Sequence, residues 1–214
     1  MMEWEPVYRV AMLSFLVGIV FGAVVNKTNF CTMGAVSDWV NMGNKGRLRT
    51  WLLAIGIATL ITQALRFRGV VDLGEAIYLT PNFGWLGYLV GGFLFGVGMT
   101  LASGCANRTL VRFGGGNLKS LVVIMFLGMT AYMTMRGLLA LVRTNVFEVT
   151  NINLSTHGID NQGIGAVLSG ALGIGNAGLV SNIVAILFGG ALVVYAISGK
   201  EFRRSFNNIL AAIT

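Results

Sequence analysis

The chain has 214 residues, of which 55% are hydrophobic and only 11% charged. A soluble domain carries about 25% charged residues, so that class is excluded and a bilayer is the first solvent to consider. Fifteen Lys and Arg against eight Asp and Glu leave a formal charge of +7, and on so apolar a chain a basic excess points to membrane orientation, not to nucleic acid.

The acidic opening Met1-Met2-Glu3-Trp4-Glu5-Pro6 lacks the basic region and small-residue cleavage site of a secretory signal, so the first apolar helix, near 7–25, is expected to remain in the protein. The polar run Asn26-Lys27-Thr28-Asn29 breaks it. Thr28–Val40 follows, too short to cross a bilayer, and leads to the cations Lys45, Arg47 and Arg49 and a second helix near 50–66. The connection 69–82 carries Asp72 and Glu75 before a third helix near 83–101. A second break, Thr100-Leu101-Ala102-Ser103-Gly104, precedes another short stretch, Ser103–Phe113, the cations Arg108, Arg112 and Lys119, and a fourth helix near 118–142. The connection 144–162 holds Glu148 and Asp160, and 163–175 reads as a short or re-entrant segment ended by Gly173, Gly175, Asn176 and Gly178. A fifth helix near 179–198 precedes Lys200, Arg203 and Arg204, and the apolar run Ser205–Thr214 looks like a further helix cut short.

A span needs about 20 mostly apolar residues, so the pattern predicts an all-α polytopic membrane protein with about five full transmembrane helices plus short re-entrant half-helices. The three cationic regions are expected in the cytoplasm and the two acidic connections outside, which puts the N-terminus outside and the C-terminus inside. Two cysteines, Cys31 and Cys105, are too few for a disulfide framework, and the single histidine, His157, leaves no ligand set for zinc or haem, so no metal or other cofactor is expected.

An internal repeat is the main finding. Gly18, Phe21, Gly22 and Cys31 recur 74 residues on as Gly92, Phe95, Gly96 and Cys105. The expected organisation is one membrane domain over 1–214, with unit A at about 10–66, unit B at about 84–142, and 163–214 as the start of a further half. Gly18, Gly22, Gly92 and Gly96 form Gly-x-x-x-Gly faces and are expected at close helix contacts.

Non-helical backbone at membrane depth is tolerated only where protein buries it or where it lines a wet cavity, so two equivalent broken segments point to a translocation path. Thr28 or Asn29 is the expected cap of the first half-helix and Ser103 of the second, which leaves Cys31 and Cys105 in the first turns, beside free N–H groups and a positive helix end. A free cysteine is also a small buried hydrophobe. Arg108 lies three residues after Cys105 on a shared face, where it either guides an anion or snorkels to the interface. His157 reads as a solvated loop residue, Met125, Met129 and Met133 as helix packing, Arg136 as an interfacial cation, and Gly114-Gly115-Gly116 as a flexible turn.

Asn29-Phe30-Cys31-Thr32-Met33-Gly34-Ala35 and Ser103-Gly104-Cys105-Ala106-Asn107-Arg108-Thr109-Leu110-Val111-Arg112-Phe113-Gly114, with Leu118-Lys119-Ser120-Leu121 beyond the second, give the chain a family likeness. It resembles the YeeE/YedE sulphur-transport family over most of residues 10–142 and more weakly beyond. The resemblance implies a non-enzymatic permease in a bacterial or archaeal cytoplasmic (inner) membrane that takes up thiosulfate or a related small sulphur anion. It makes Cys31 and Cys105 the substrate-pathway residues, supported by Asn29, Ser103, Gly104 and Arg108. Longer members contain a second, similar half, so the chain is a fragment, a half-length member needing a second half-subunit, or one half of a homodimer. The competing readings are a membrane thiol oxidoreductase or sulphur relay using the two cysteines, and a half-subunit that transports nothing itself.

Overall fold

Two long apolar stretches that each stop at a polar break organise the first half of the chain. The computed structural model describes residues 4–71, 79–157, 159, 161–172 and 177–199. Asp72, Glu75, Asp160, Gly173, Gly175, Asn176, Lys200, Arg203, Arg204 and the run Ser205–Thr214 therefore lie outside the described residues.

Helix α1 (Trp4–Thr28) runs to the first break and half-helix α2 (Thr32–Met42) follows it. After a left-handed turn at Gly43, α3 (Gly46–Phe67) runs the length of a span. The same succession recurs as α4 (Trp85–Leu101), half-helix α5 (Ala106–Gly114) and α6 (Leu118–Arg136). A short α7 (Leu138–Val142), a π turn over Arg143–Phe147 and 3-10 turns lead to α8 (Ile164–Leu172) and α9 (Ala177–Ile197). Two-residue strands β1 (Asn82–Phe83) and β2 (Ile152–Asn153) pair antiparallel and tie the two connections together, helped by the Trp85 indole N–H donating to the Thr150 carbonyl at 3.2 Å. Among the described residues five helical stretches are long and apolar enough to cross a membrane, as expected, beginning at Val7, Gly46, Trp85, Leu118 and Gly178.

The fourth helix is shorter than its apolar window. It ends at Arg136 because Gly137 adopts an extended conformation (φ −105°, ψ −157°), in which a Cβ would lie 2.8 Å from Met133 Cα and 2.9 Å from its carbonyl oxygen. Only a residue without a side chain fits there, and the chain restarts as α7.

Small residues do bring helices together, but not where the repeat suggested. A Cβ at Gly18, Gly22, Gly92 or Gly96 would meet no atom within 4 Å, so among the described residues these faces have no close helix partner. The close approach is between α3 and α9: a Cβ at Gly56 would lie 3.0 Å from the Gly189 carbonyl oxygen and 3.0 Å from Val193 Cγ2. Leu53 and Ala196 are buried beside it with Ile57 and Val193 packed against them, and the Gln63 amide donates to Asn182 across the same seam. Because lipid supplies no hydrophobic drive between helices, this seam is held by packing and interhelical polar contact. Gly56→Leu is expected to cost about 1–3 kcal/mol through overpacking, checked as a lower unfolding temperature in detergent.

Candidate functional site

Each half-helix begins in the same way. Asn29 and Ser103 are equivalent in the repeat, and they are the two non-glycine residues with positive φ among those described, at 53° and 56°. A left-handed residue closes a helix by turning its last carbonyls onto the following N–H groups. At Ser103 the full pattern is present: the Ser103 N–H donates to the Thr100 carbonyl at 3.2 Å and the Gly104 N–H to the Met99 carbonyl at 3.1 Å. Both residues thus terminate the preceding helix and do not cap the next one, a correction to the expected roles of Asn29 and Ser103. Thr28 is not a cap either, since its hydroxyl donates back to the Val24 carbonyl at 2.7 Å.

The caps are the cysteines themselves. Cys31 is extended (φ −155°, ψ 126°) at the start of α2, with its sulphur accepting from the Gly34 N–H at 3.5 Å. Cys105 is likewise extended (φ −73°, ψ 162°) at the start of α5, and its carbonyl accepts from both the Thr109 N–H and the Thr109 hydroxyl at 3.1 Å. Both thiols therefore sit at positive helix ends.

The repeat brings them into contact. Cys31 Sγ and Cys105 Sγ are 3.3 Å apart, close enough for either to donate, and the residues are 5% and 7% exposed. The two thiols that the resemblance assigns to the substrate pathway meet at one point. Arg108 crosses between the units and donates from Nη1 to Asn29 Oδ1 at 2.9 Å, while Arg112, one turn on, donates to the Ser103 carbonyl at 3.3 Å. Gly104 is buried beside the stem of Arg108. The structure thus gathers Cys31, Cys105, Asn29, Ser103, Gly104 and Arg108 in one place and leaves Gly18, Gly22, Gly92 and Gly96 outside it. Met125 and Met129 are exposed.

Two cavities share Asn29 and Phe30, and only the smaller is lined by one of the thiols, Cys31. The smaller, of about 10 Å³, is lined by Cys31, Arg47, Thr50 and Trp51 and barely holds one water. Arg47 pairs with Asp38 at 3.2 Å, and its guanidinium lies over Gly34, so α2 is fixed to the start of α3. The larger cavity, of about 240 Å³, is lined by Arg108, Arg112, Asn26 and Asn117. Arg47, Arg112 and Asn117 were not among the expected site residues; in the sequence the two arginines read as orientation signals, and nothing marks the asparagine. Among the described residues no group of three or more His, Cys, Asp or Glu side chains is placed to hold a metal ion.

Residues 27–212 match the family described as sulphur transport. The thiosulfate transporter TsuA of Spirochaeta thermophila is 26% identical over 201 residues, covering 92% of this chain and 58% of that protein. The thiosulfate transporter TsuA of Escherichia coli K12 is 29% identical over 117 residues, covering 55% of this chain and 32% of that protein. The chain thus spans well under two thirds of the length of either relative.

Proposed function

The chain belongs to the sulphur transport family, and from that premise we propose that it forms part of a permease passing thiosulfate, or a similar small sulphur anion, between Cys31 and Cys105. The observation that carries the proposal is the 3.3 Å contact of two buried thiols at two helix N-termini, with a small cavity lined by Cys31 beside it.

Thiosulfate is a dianion with a soft terminal sulphur, and moving it bare into hydrocarbon would cost on the order of tens of kcal/mol. Something must replace its water without holding it fast, because conduction requires release as well as binding. A neutral thiol is a weak donor with no charge to trap an anion. With no substrate present each thiol satisfies the other; an arriving anion takes their S–H groups in exchange, and the N–H groups that open α2 and α5 add positive potential without a lysine's grip. Both groups must be protonated, since a thiolate repels a dianion. Asn29 and Arg108 hold the first break against the second half-helix and so keep the thiols in register.

The cationic stretches around Lys45–Arg49 and Arg108–Lys119 support a reading with those loops in the cytoplasm and the N-terminus outside, in the inner membrane of a bacterium or archaeon and with the anion taken up, as the family likeness implies. Repeat units at about 10–66 and 84–142 each supply one thiol, and 163–214 opens a further half. In this reading a second copy of the chain or a second half-subunit also lines the path.

The test is uptake of labelled thiosulfate by cells that accumulate none without this chain. Accumulation above the empty-vector level is expected; no accumulation, alone or with a co-expressed half-subunit, refutes the proposal and supports the half-subunit that transports nothing. The same sulphur contact also suits a dithiol–disulfide couple. Thiol alkylation separates the two readings: protection of both cysteines by thiosulfate is expected for a path, whereas a disulfide that forms and breaks in turnover marks redox work.

A further inference from the structure

We propose that the larger cavity is an oxyanion vestibule that binds small tetrahedral dianions by charge and shape, sulfate as well as thiosulfate, with Arg112 as a principal ligand. The inference rests on the permease reading and deepens it by separating two tasks: the thiols pass the sulphur end of the anion, and the vestibule on their cytoplasmic side receives it.

The volume of about 240 Å³ exceeds what one such anion needs and leaves room for part of its water. Arg108 and Arg112 both line it, one turn apart on α5, and among the described residues no Asp or Glu lines it to offset them. Each guanidinium has five N–H donors in a planar fork, and the contacts to Asn29 Oδ1 and the Ser103 carbonyl engage a single nitrogen of each. The forks are thus held in place with donors to spare, which suits bidentate recognition of sulfonate oxygens. Asn117 adds to this: its Oδ1 already accepts from the Lys119 N–H at 3.0 Å as the cap of α6, so its amide N–H groups are the end left to donate. None of these groups distinguishes a terminal sulphur from a terminal oxygen. The cavity shares Asn29 and Phe30 with the small cavity at Cys31, so the residue that precedes Cys31 lines both.

The experiment is equilibrium binding of labelled sulfate to the purified chain in phosphatidylcholine nanodiscs. Saturable sulfate binding that thiosulfate displaces is expected, weakened about tenfold or more by Arg112→Gln through loss of a charge-assisted hydrogen bond. Thiosulfate binding is expected to weaken by a similar factor. Arg112→Lys keeps the charge but not the fork and is expected to recover part of the loss, which guards against a glutamine variant that merely misfolds. Cys31→Ser with Cys105→Ser is expected to leave sulfate binding intact. Absence of sulfate binding in the unaltered chain, or binding unchanged by Arg112→Gln, overturns the proposal. So does binding abolished when phosphatidylglycerol replaces part of the phosphatidylcholine, because the cavity would then hold a lipid phosphate. Sulfate binding does not depend on passage between the thiols, so its failure leaves thiosulfate uptake to be judged separately, and a chain that binds sulfate but transports nothing overturns the permease reading instead.

Discussion

Cys31→Ala and Cys105→Ala are each expected to cut uptake of labelled thiosulfate by about ten- to a hundredfold, the range set by losing one hydrogen bond to a charged ligand. The two positions are equivalent in the repeat and touch at 3.3 Å, so either change leaves the surviving sulphur facing a methyl group across a gap. Cys→Ser is the informative companion. A hydroxyl donates to an anion and can still cap the half-helix, so the serine variants are expected to retain more uptake than the alanine variants while losing preference for the soft sulphur end. At Cys31, whose sulphur accepts from the Gly34 N–H, alanine also removes a side-chain cap, a loss of about 1 kcal/mol for ordinary caps; the Cys105 side chain makes no such bond. A fall in expression of that order is separable from a collapse in transport per molecule. Undiminished uptake in both alanine variants would remove the thiols from the path.

Gly165→Ala is expected to destabilise the fold more than any other single methyl addition at a described glycine on a helix-packing face. A Cβ at this buried position would overlap the backbone of Ser181, where α8 rests on α9, and backbone cannot rotate away as a side chain can. The helices must slide apart, an overpacking penalty of about 1–3 kcal/mol or somewhat more. Gly98→Ala is the control: it lies in α4 with nothing within 4 Å of the new methyl, and the gain in helix propensity makes it neutral or stabilising. Unfolding temperatures of both variants in the same detergent check the contrast. Equal values would mean that α8 does not bear on α9 as described.

The spans were legible because apolar runs interrupted by charge carry most of their own evidence, and the five expected helices stand close to their expected limits. What periodicity could not supply was conformation at single residues. Gly137 looks like any glycine in an apolar window, and only its extended backbone ends α6 there. The two breaks were placed correctly, but the capping roles were displaced onto Cys31 and Cys105. Asn and Ser favour caps in general, and nothing local says that these two will instead take the left-handed conformation that ends a helix. Arg112 and Arg47 read as orientation charges until the fold sets them beside a cavity. The contact between the thiols is a long-range property, reached only when the second half-helix lies across the end of the first helix. The glycine faces of α1 and α4 meet no helix closely among the described residues: the spacing reports that two backbones could approach, not which pair does.

The attachment of the two half-helices has a mechanical consequence. The one bearing Cys31 is pinned by Arg47–Asp38 to α3, which is itself locked against α9 at Gly56 and Gly189. The one bearing Cys105 is seated on α6, and the Arg108–Asn29 bridge and the sulphurs link it to the first. The two sulphurs therefore ride on separate mounts, one stiff and one joined by a few replaceable polar links. A small tilt of the second mount would part them by the width of an ion while every helical hydrogen bond stays intact.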